Sequence, residues 1–137
     1  IALILLAGCF IPIKQWEVRL KSTDTTAHYN EDGFFEVWID QSDWNKTLDI
    51  VDGQSFAVDP KGTKYKVVSE ERSETTSKKK MYVIYLYDER NKVLESFRNG
   101  DWELSIHLQN NDNIKNRPFR IRLWTLYYNP IIYGAPN

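Results

Sequence analysis

Alternating apolar and polar residues predict β-strands in several parts of this chain. Trp16, Val18 and Leu20 alternate with charged residues, and the same period of two runs from Trp102 to Leu108. Successive side chains of a strand point to opposite faces, so this pattern is typical of strands with one buried face. The run from Met81 to Tyr87 is apolar at nearly every position, which indicates a central strand covered on both faces.

Turn residues separate these runs and indicate the fold class. Asp52-Gly53 predicts a tight hairpin, and Asp59-Pro60-Lys61-Gly62 predicts the next turn. The polar stretches Ser22 to Gly33 and Gln109 to Arg117 are interpreted as loops. About eight short strands without a helical period favour an all-β fold, either an antiparallel β-sandwich of immunoglobulin-like architecture or a partly open barrel.

The first nine residues have a different character from the rest of the chain. Ile1 to Leu6 are apolar, and the small residues Ala7 and Gly8 precede Cys9. An apolar segment that ends in small residues is typical of a secretory signal peptide, and this one is shorter than the about 20 residues that cross a bilayer. The alternative is that Ile1 to Leu6 form a buried strand and that Cys9 is a small buried apolar residue.

The sequence Leu6-Ala7-Gly8-Cys9 resembles the lipobox of bacterial lipoproteins. The resemblance implies cleavage before Cys9 and attachment of fatty acyl chains, such as palmitate, to that residue. Residues 1–8 would then be the remnant of a signal peptide, residues 9–15 a lipidated tether, and residues 16–137 the β-sandwich domain. Pro12 would keep the tether from forming a helix.

The same resemblance implies a location. The protein would lie in the bacterial cell envelope, held on a membrane by the acyl chains on Cys9. Phe10, rather than an aspartate, follows the cysteine. In a Gram-negative host this resembles the sorting signal for the outer membrane, where the domain would face the periplasm.

The composition argues against a nucleic-acid partner and against disulfide bonds. The chain has 137 residues with 18 basic and 19 acidic side chains, and its net charge is −1. Nucleic-acid binding calls for a clustered basic surface, so no nucleic-acid partner is expected. A single cysteine that carries lipid leaves none for a disulfide, and the fold must depend on its apolar core.

Candidate catalytic and metal-binding residues are few. The two histidines, His28 and His107, are interpreted as exposed, and a zinc site would need three or four converging ligands. No serine lies in a G-x-S-x-G pattern, and Cys9 is assigned to lipid attachment. We therefore expect no metal, no cofactor and no enzymatic activity.

Exposed aromatic residues are the remaining candidates for function. Trp38 and Trp124 each occupy the solvent side of a predicted strand, and Arg120 and Arg122 lie on the same strand as Trp124. Trp and Arg are enriched in the energetic centres of protein interfaces. The alternative is that a second sheet, or the loop from Ser22 to Gly33, covers these rings.

The sequence therefore predicts a lipid-anchored, non-enzymatic module that binds another envelope protein through Trp38, Trp124, Arg120 and Arg122. The alternative function is binding of a small ligand or a glycan, with exposed aromatic rings stacking on it. A concave pocket lined by aromatic residues would favour this alternative, and a flat face would favour protein binding.

Overall fold

Antiparallel strands make up the fold of this protein. The computed structural model describes residues 10–22, 24–40, 49–72, 79–110 and 113–129. Nine strands lie in these ranges: β1 (Ile11–Leu20), β2 (Thr25–Tyr29), β3 (Phe35–Asp40), β4 (Asp49–Ile50), β5 (Phe56–Val58), β6 (Lys64–Glu71), β7 (Lys79–Tyr87), β8 (Gly100–Asn110) and β9 (Asn113–Tyr128). They form one sheet in the order β1-β9-β8-β5-β6-β7-β3-β2, and β4 also pairs with β8. The predicted all-β antiparallel class is confirmed.

The sheet curls until its two terminal strands approach each other. β1 and β2 stand at opposite ends of the hydrogen-bonded order although they are consecutive in the chain. The rings of Trp16 on β1 and His28 on β2 lie 5.1 Å apart between centroids. Arg117 on β9 also bonds the carboxylate of Asp24, just before β2. The architecture is therefore a nearly closed barrel, the second of the two predicted forms.

Apolar side chains fill the inside of the barrel. Every second residue of β3, β8 and β9 points inward, which explains the period of two in the sequence. The largest fully buried side chains are Trp102, Phe35, Phe119, Ile39, Ile84, Leu86, Leu104, Ile106, Leu108, Ile121, Leu123 and Val37. Each such residue contributes about 1.5–3 kcal/mol relative to an exposed position. The described part of the interior is therefore a packed apolar core.

One end of the barrel is closed by an aromatic cluster. Phe97, in the irregular segment before β8, lies 5.0 Å from Phe35 and 5.1 Å from Trp102 between ring centroids. The indole Nε1 of Trp102 donates a hydrogen bond to the carbonyl oxygen of Arg98 at 2.8 Å. These contacts hold the segment before β8 against the core without regular secondary structure.

The hairpin predicted at Asp52-Gly53 is wrong. The segments before and after this turn, β4 and β5, both pair with β8, so the turn is a bulge within one interrupted strand. A two-residue hairpin of type I′ needs a positive φ at both central residues, and Asp52 and Gly53 are not among the positive-φ residues. Instead, the Asp52 carboxylate accepts bonds from the backbone N–H and hydroxyl of Ser69 on β6, at 3.2 and 2.6 Å.

Three other boundaries differ from the prediction. The stretch from residue 11 to residue 15, predicted as part of the tether, is the first half of β1, because it pairs with the end of β9. The predicted loop Ser22 to Gly33 contains β2, and the predicted loop Gln109 to Arg117 contains the start of β9. In β2 the inward positions Thr25 and Ala27 are small, so β2 shows no alternation of bulky apolar residues.

Candidate functional site

The outer face of β9 carries three of the four predicted contact residues. Phe119, Ile121 and Leu123 point into the core, so Arg120, Arg122 and Trp124 point outward. They stand at every second position of one strand, which spaces them roughly 7 Å apart along it. We call this row of three the β9 face. All three are exposed, and the predicted orientation of Trp124 is therefore confirmed.

Neighbouring strands place carboxylates beside the two arginines. Arg120 donates a hydrogen bond from Nη2 to Glu103 on β8 at 3.2 Å. The register sets Arg122 between Glu17 on β1 and Asp101 on β8. An exposed ion pair of this kind contributes between about 0 and 1 kcal/mol to stability. Carboxylates of a partner could therefore replace these ion pairs at little cost to the stability of the fold.

Trp38 lies on a different part of the barrel wall. It belongs to β3, and β2 and β1 separate β3 from β9 around the barrel. Its ring is half-buried, and its indole Nε1 donates a hydrogen bond to Glu36 at 2.9 Å. In the register it stands between Thr26 on β2 and Met81 on β7. The structure thus brings Arg120, Arg122 and Trp124 together but leaves Trp38 outside the β9 face.

The predicted lipidation site, Cys9, lies outside the described residues. Phe10, which follows it, is described and exposed, and β1 begins at the next residue. A group attached to Cys9 would therefore lie only two residues along the chain from the start of β1. Within the described ranges, no helix is long and apolar enough to span a membrane.

The two histidines, interpreted as exposed, are both half-buried. His28 packs against the Trp16 ring. The backbone of His107 bonds the bulge before β5, through its N–H to the Ser55 hydroxyl and its carbonyl to the Val51 N–H. In the part of the chain that the structure describes, His107 Nδ1 is a buried atom that has no hydrogen-bond partner. No group of three or more His, Cys, Asp or Glu side chains among the described residues could hold a metal ion.

A cluster of titratable groups lies where β4 meets β7. The Asp49 carboxylate accepts hydrogen bonds from Lys80 at 2.9 Å and from the Tyr82 hydroxyl at 3.3 Å. Burial and the nearby carboxylates raise the pKa of Tyr82 well above its ordinary value. A raised pKa keeps the hydroxyl protonated, so Tyr82 acts as a hydrogen-bond donor that ties β7 to β4.

A groove of about 880 Å³ crosses the outer wall formed by β5 and β6. Phe56 and Tyr87 provide aromatic rings in its lining, and Asp88 and Glu89 provide carboxylates. The ammonium group of Lys64 lies 4.1 Å from the centroid of the Phe56 ring and covers one of its faces. Such a cation–π contact is worth about 0.5–1 kcal/mol at an exposed site, and stacking of a ligand on that face would have to displace it.

This groove could not be predicted from the sequence, and the reason is physical. Its floor depends on β5 standing between β8 and β6, and β5 has only three residues, Phe56–Val58. A run this short shows no period that could be read from the sequence. The Asp59–Gly62 turn beside it was predicted, and it does join β5 to β6, with Gly62 at a φ of 88°.

Comparisons with other proteins give no relative for this chain. No protein family, no characterised protein and no solved structure matches it.

Proposed function

We propose that this chain is a lipid-anchored lipoprotein of the bacterial cell envelope and that its barrel binds another envelope protein without catalysing a reaction. The anchor would be fatty acyl chains on Cys9, as the lipobox Leu6-Ala7-Gly8-Cys9 implies. In a Gram-negative host, Phe10 after the cysteine favours the outer membrane, with the barrel in the periplasm.

The β9 face is the observation that carries the proposed binding activity. It presents an exposed indole and two guanidinium groups in a row on a strand whose other side is fixed in the core. Trp and Arg supply a large share of the binding energy in protein interfaces, and a rigid support lowers the entropy lost on binding. The matching partner surface would carry carboxylates opposite Arg120 and Arg122 and an apolar edge beside Trp124.

Site-specific photo-crosslinking in cells tests this proposal. A photoreactive phenylalanine analogue replaces Asp101, which is exposed and stands beside Arg122, or Val68 on β6, which is also exposed. We expect a discrete protein adduct from position 101, none at that mass from position 68, and loss of the adduct when Trp124→Ala is added. Identical adducts from both positions, or an adduct that survives Trp124→Ala, would reject the β9 face. A Trp38→Ala variant should leave the adduct unchanged.

The groove on β5 and β6 supports a second candidate function, the binding of a small ligand or glycan. Its volume of about 880 Å³ falls within the range of small-molecule sites. Tyr87 would stack on a sugar ring, and Asp88 and Glu89 would accept its hydroxyl hydrogen bonds. Titration with soluble chito-oligosaccharides, followed by fluorescence, distinguishes the two candidates. Saturable binding that Tyr87→Ala abolishes and Trp124→Ala preserves would favour the groove.

A further inference from the structure

The pairing of β1 with β9 continues past the end of the neighbouring strand. Gly100, the first residue of β8, pairs with Leu123, but β9 runs on to Tyr128, which pairs with Ile11. Beyond Leu123, β9 is therefore paired with β1. Residues 11–15 and 124–128 form a two-stranded extension, and with Phe10 before it we call this extension the end ribbon.

The end ribbon exposes an unusual amount of apolar surface. Its most exposed residues are Tyr127 at 66%, Leu126 at 52%, Phe10 at 46%, Ile11 at 43% and Trp124 at 37%. Ile13 stands opposite Leu126, and Pro12 stands opposite Tyr127, so apolar side chains occupy both faces. Single exposed apolar residues are ordinary on a protein surface, but a contiguous group of them marks an interaction site.

The end ribbon carries one formal charge, that of Lys14 near its base. All 18 Lys and Arg residues and all 19 Asp and Glu residues of the chain lie between Lys14 and Arg122. Lys14 is turned toward the body of the barrel, where its Nζ bonds the Phe97 carbonyl oxygen at 2.7 Å and Asn99 Oδ1 at 2.5 Å. Trp, Tyr and aliphatic side chains without charge are the composition found where lipid headgroups meet acyl chains.

We infer that the end ribbon inserts its side chains into the interface of the membrane that carries the protein. This inference rests on the proposed lipid anchor, because Phe10 directly follows Cys9 and acyl chains there would hold the end ribbon at the lipid surface. A protein is the less suitable occupant, because the one charge of the end ribbon, on Lys14, bonds Phe97 and Asn99 and is not presented to a partner. The barrel then stands with β1 and β9 ending at the lipid. Trp124 belongs to both the end ribbon and the β9 face, so it lies at the headgroups, and a partner protein would reach Arg120 and Arg122 just above the membrane surface.

Quenching of tryptophan fluorescence by brominated lipid tests the depth of the end ribbon. The full protein is purified from membranes with its native attachments and is reconstituted in phosphatidylcholine vesicles with or without bromine on the acyl chains. Trp124→Phe is compared with Trp38→Phe, a matched change on the outer wall of β3. We expect bromine to quench the native protein and Trp124→Phe to remove roughly half or more of that quenching, because Trp124 lies at the lipid interface. Trp38→Phe should leave it unchanged.

Mass spectrometry of the peptide that contains Cys9 separates this inference from the anchor proposal. If Cys9 is acylated and Trp124 is not quenched, the end ribbon does not enter the membrane, and a protein occupant takes its place. If Cys9 is not acylated but Trp124 is quenched when the protein is added to vesicles, the end ribbon binds lipid and the anchor proposal fails. Equal quenching in the two phenylalanine variants also overturns the inference.

Discussion

Arg117 and Asp24 form a two-pronged hydrogen bond across the seam of the barrel. Nε of Arg117 lies 2.7 Å from Oδ1 of Asp24, and Nη2 lies 2.8 Å from Oδ2. The pair joins the first half of β9 to the residue that precedes β2. It therefore bridges the seam between β1 and β2, which are the two strands at the ends of the hydrogen-bonded order.

This pair should make stability depend on pH. The hydrogen bond from Arg117 holds the pKa of Asp24 below its ordinary value, although burial acts in the opposite direction. A folded-state pKa below the unfolded value, about 3.9, gives stability that is fully present above that value and is lost as pH falls through the folded pKa. We expect Asp24→Asn to lower the unfolding free energy by about 1–2 kcal/mol at pH 7 and by less at pH 3.

Urea unfolding of the native chain and of Asp24→Asn at the two pH values measures this difference. Glu103→Gln is the matched control, because its partner Arg120 is more exposed and the pair should contribute between about 0 and 1 kcal/mol. A loss at pH 3 as large as the loss at pH 7 would show that the Asp24 carboxylate charge does not stabilise the seam.

We expect Asp59 to contribute more to the unfolding free energy than any other side chain in the described turns. It is buried, and it accepts hydrogen bonds from the N–H groups of Lys61 and Thr63 and from the Tyr65 hydroxyl. Burial raises the pKa of Asp59, but these hydrogen bonds outweigh it and hold the pKa below its ordinary value. Asp59→Ala should cost about 2 kcal/mol of unfolding free energy, because it removes a buried carboxylate that accepts three hydrogen bonds.

Asp88 provides the comparison for Asp59. It accepts hydrogen bonds from the N–H groups of Arg90 and Lys92 in the turn after β7, but water can replace it there. Asp88→Ala should therefore destabilise the protein less than Asp59→Ala in the same thermal unfolding experiment. Equal shifts in Tm for the two variants would contradict the role of burial.

Gly100 should tolerate no side chain. It has a φ of 123°, and an added Cβ would lie 2.7 Å from Cβ of Pro60. Gly100→Ala combines backbone strain with a clash, so we expect a loss of about 2 kcal/mol or more in unfolding free energy. Gly53→Ala meets nothing within 4 Å and should change stability by less than about 0.5 kcal/mol. Chemical denaturation of both variants checks this contrast, and similar stabilities would refute it.

The sequence predicted the strands whose inward residues are bulky and regularly spaced. Phe35, Val37 and Ile39 fix the inward face of β3, and Trp102 to Leu108 do the same for β8. β2 was missed because its buried positions, Thr25 and Ala27, are small, and a strand at the end of the sheet needs less apolar volume. The Asp52-Gly53 hairpin was wrong because pairing with β8 on both sides overrode the local turn preference.

The candidate site was predictable to the extent that it follows from alternation within one strand. Once Ile121 and Leu123 point inward, Arg120, Arg122 and Trp124 must share the outer face. The position of Trp38 relative to that face depends on the order of strands around the barrel, which alternation does not encode. The end ribbon depends on how far β9 runs past β8, and that register is a property of the folded sheet.

Acylation of Cys9 is the claim on which the proposed location and the orientation of the barrel depend. Cells that produce the native chain or Cys9→Ala are fed a palmitate analogue that can be tagged, and the label in each purified protein is measured. We expect strong labelling of the native chain and none of Cys9→Ala. Equal labelling of the two proteins, or no label in the native chain, would contradict the proposed acylation.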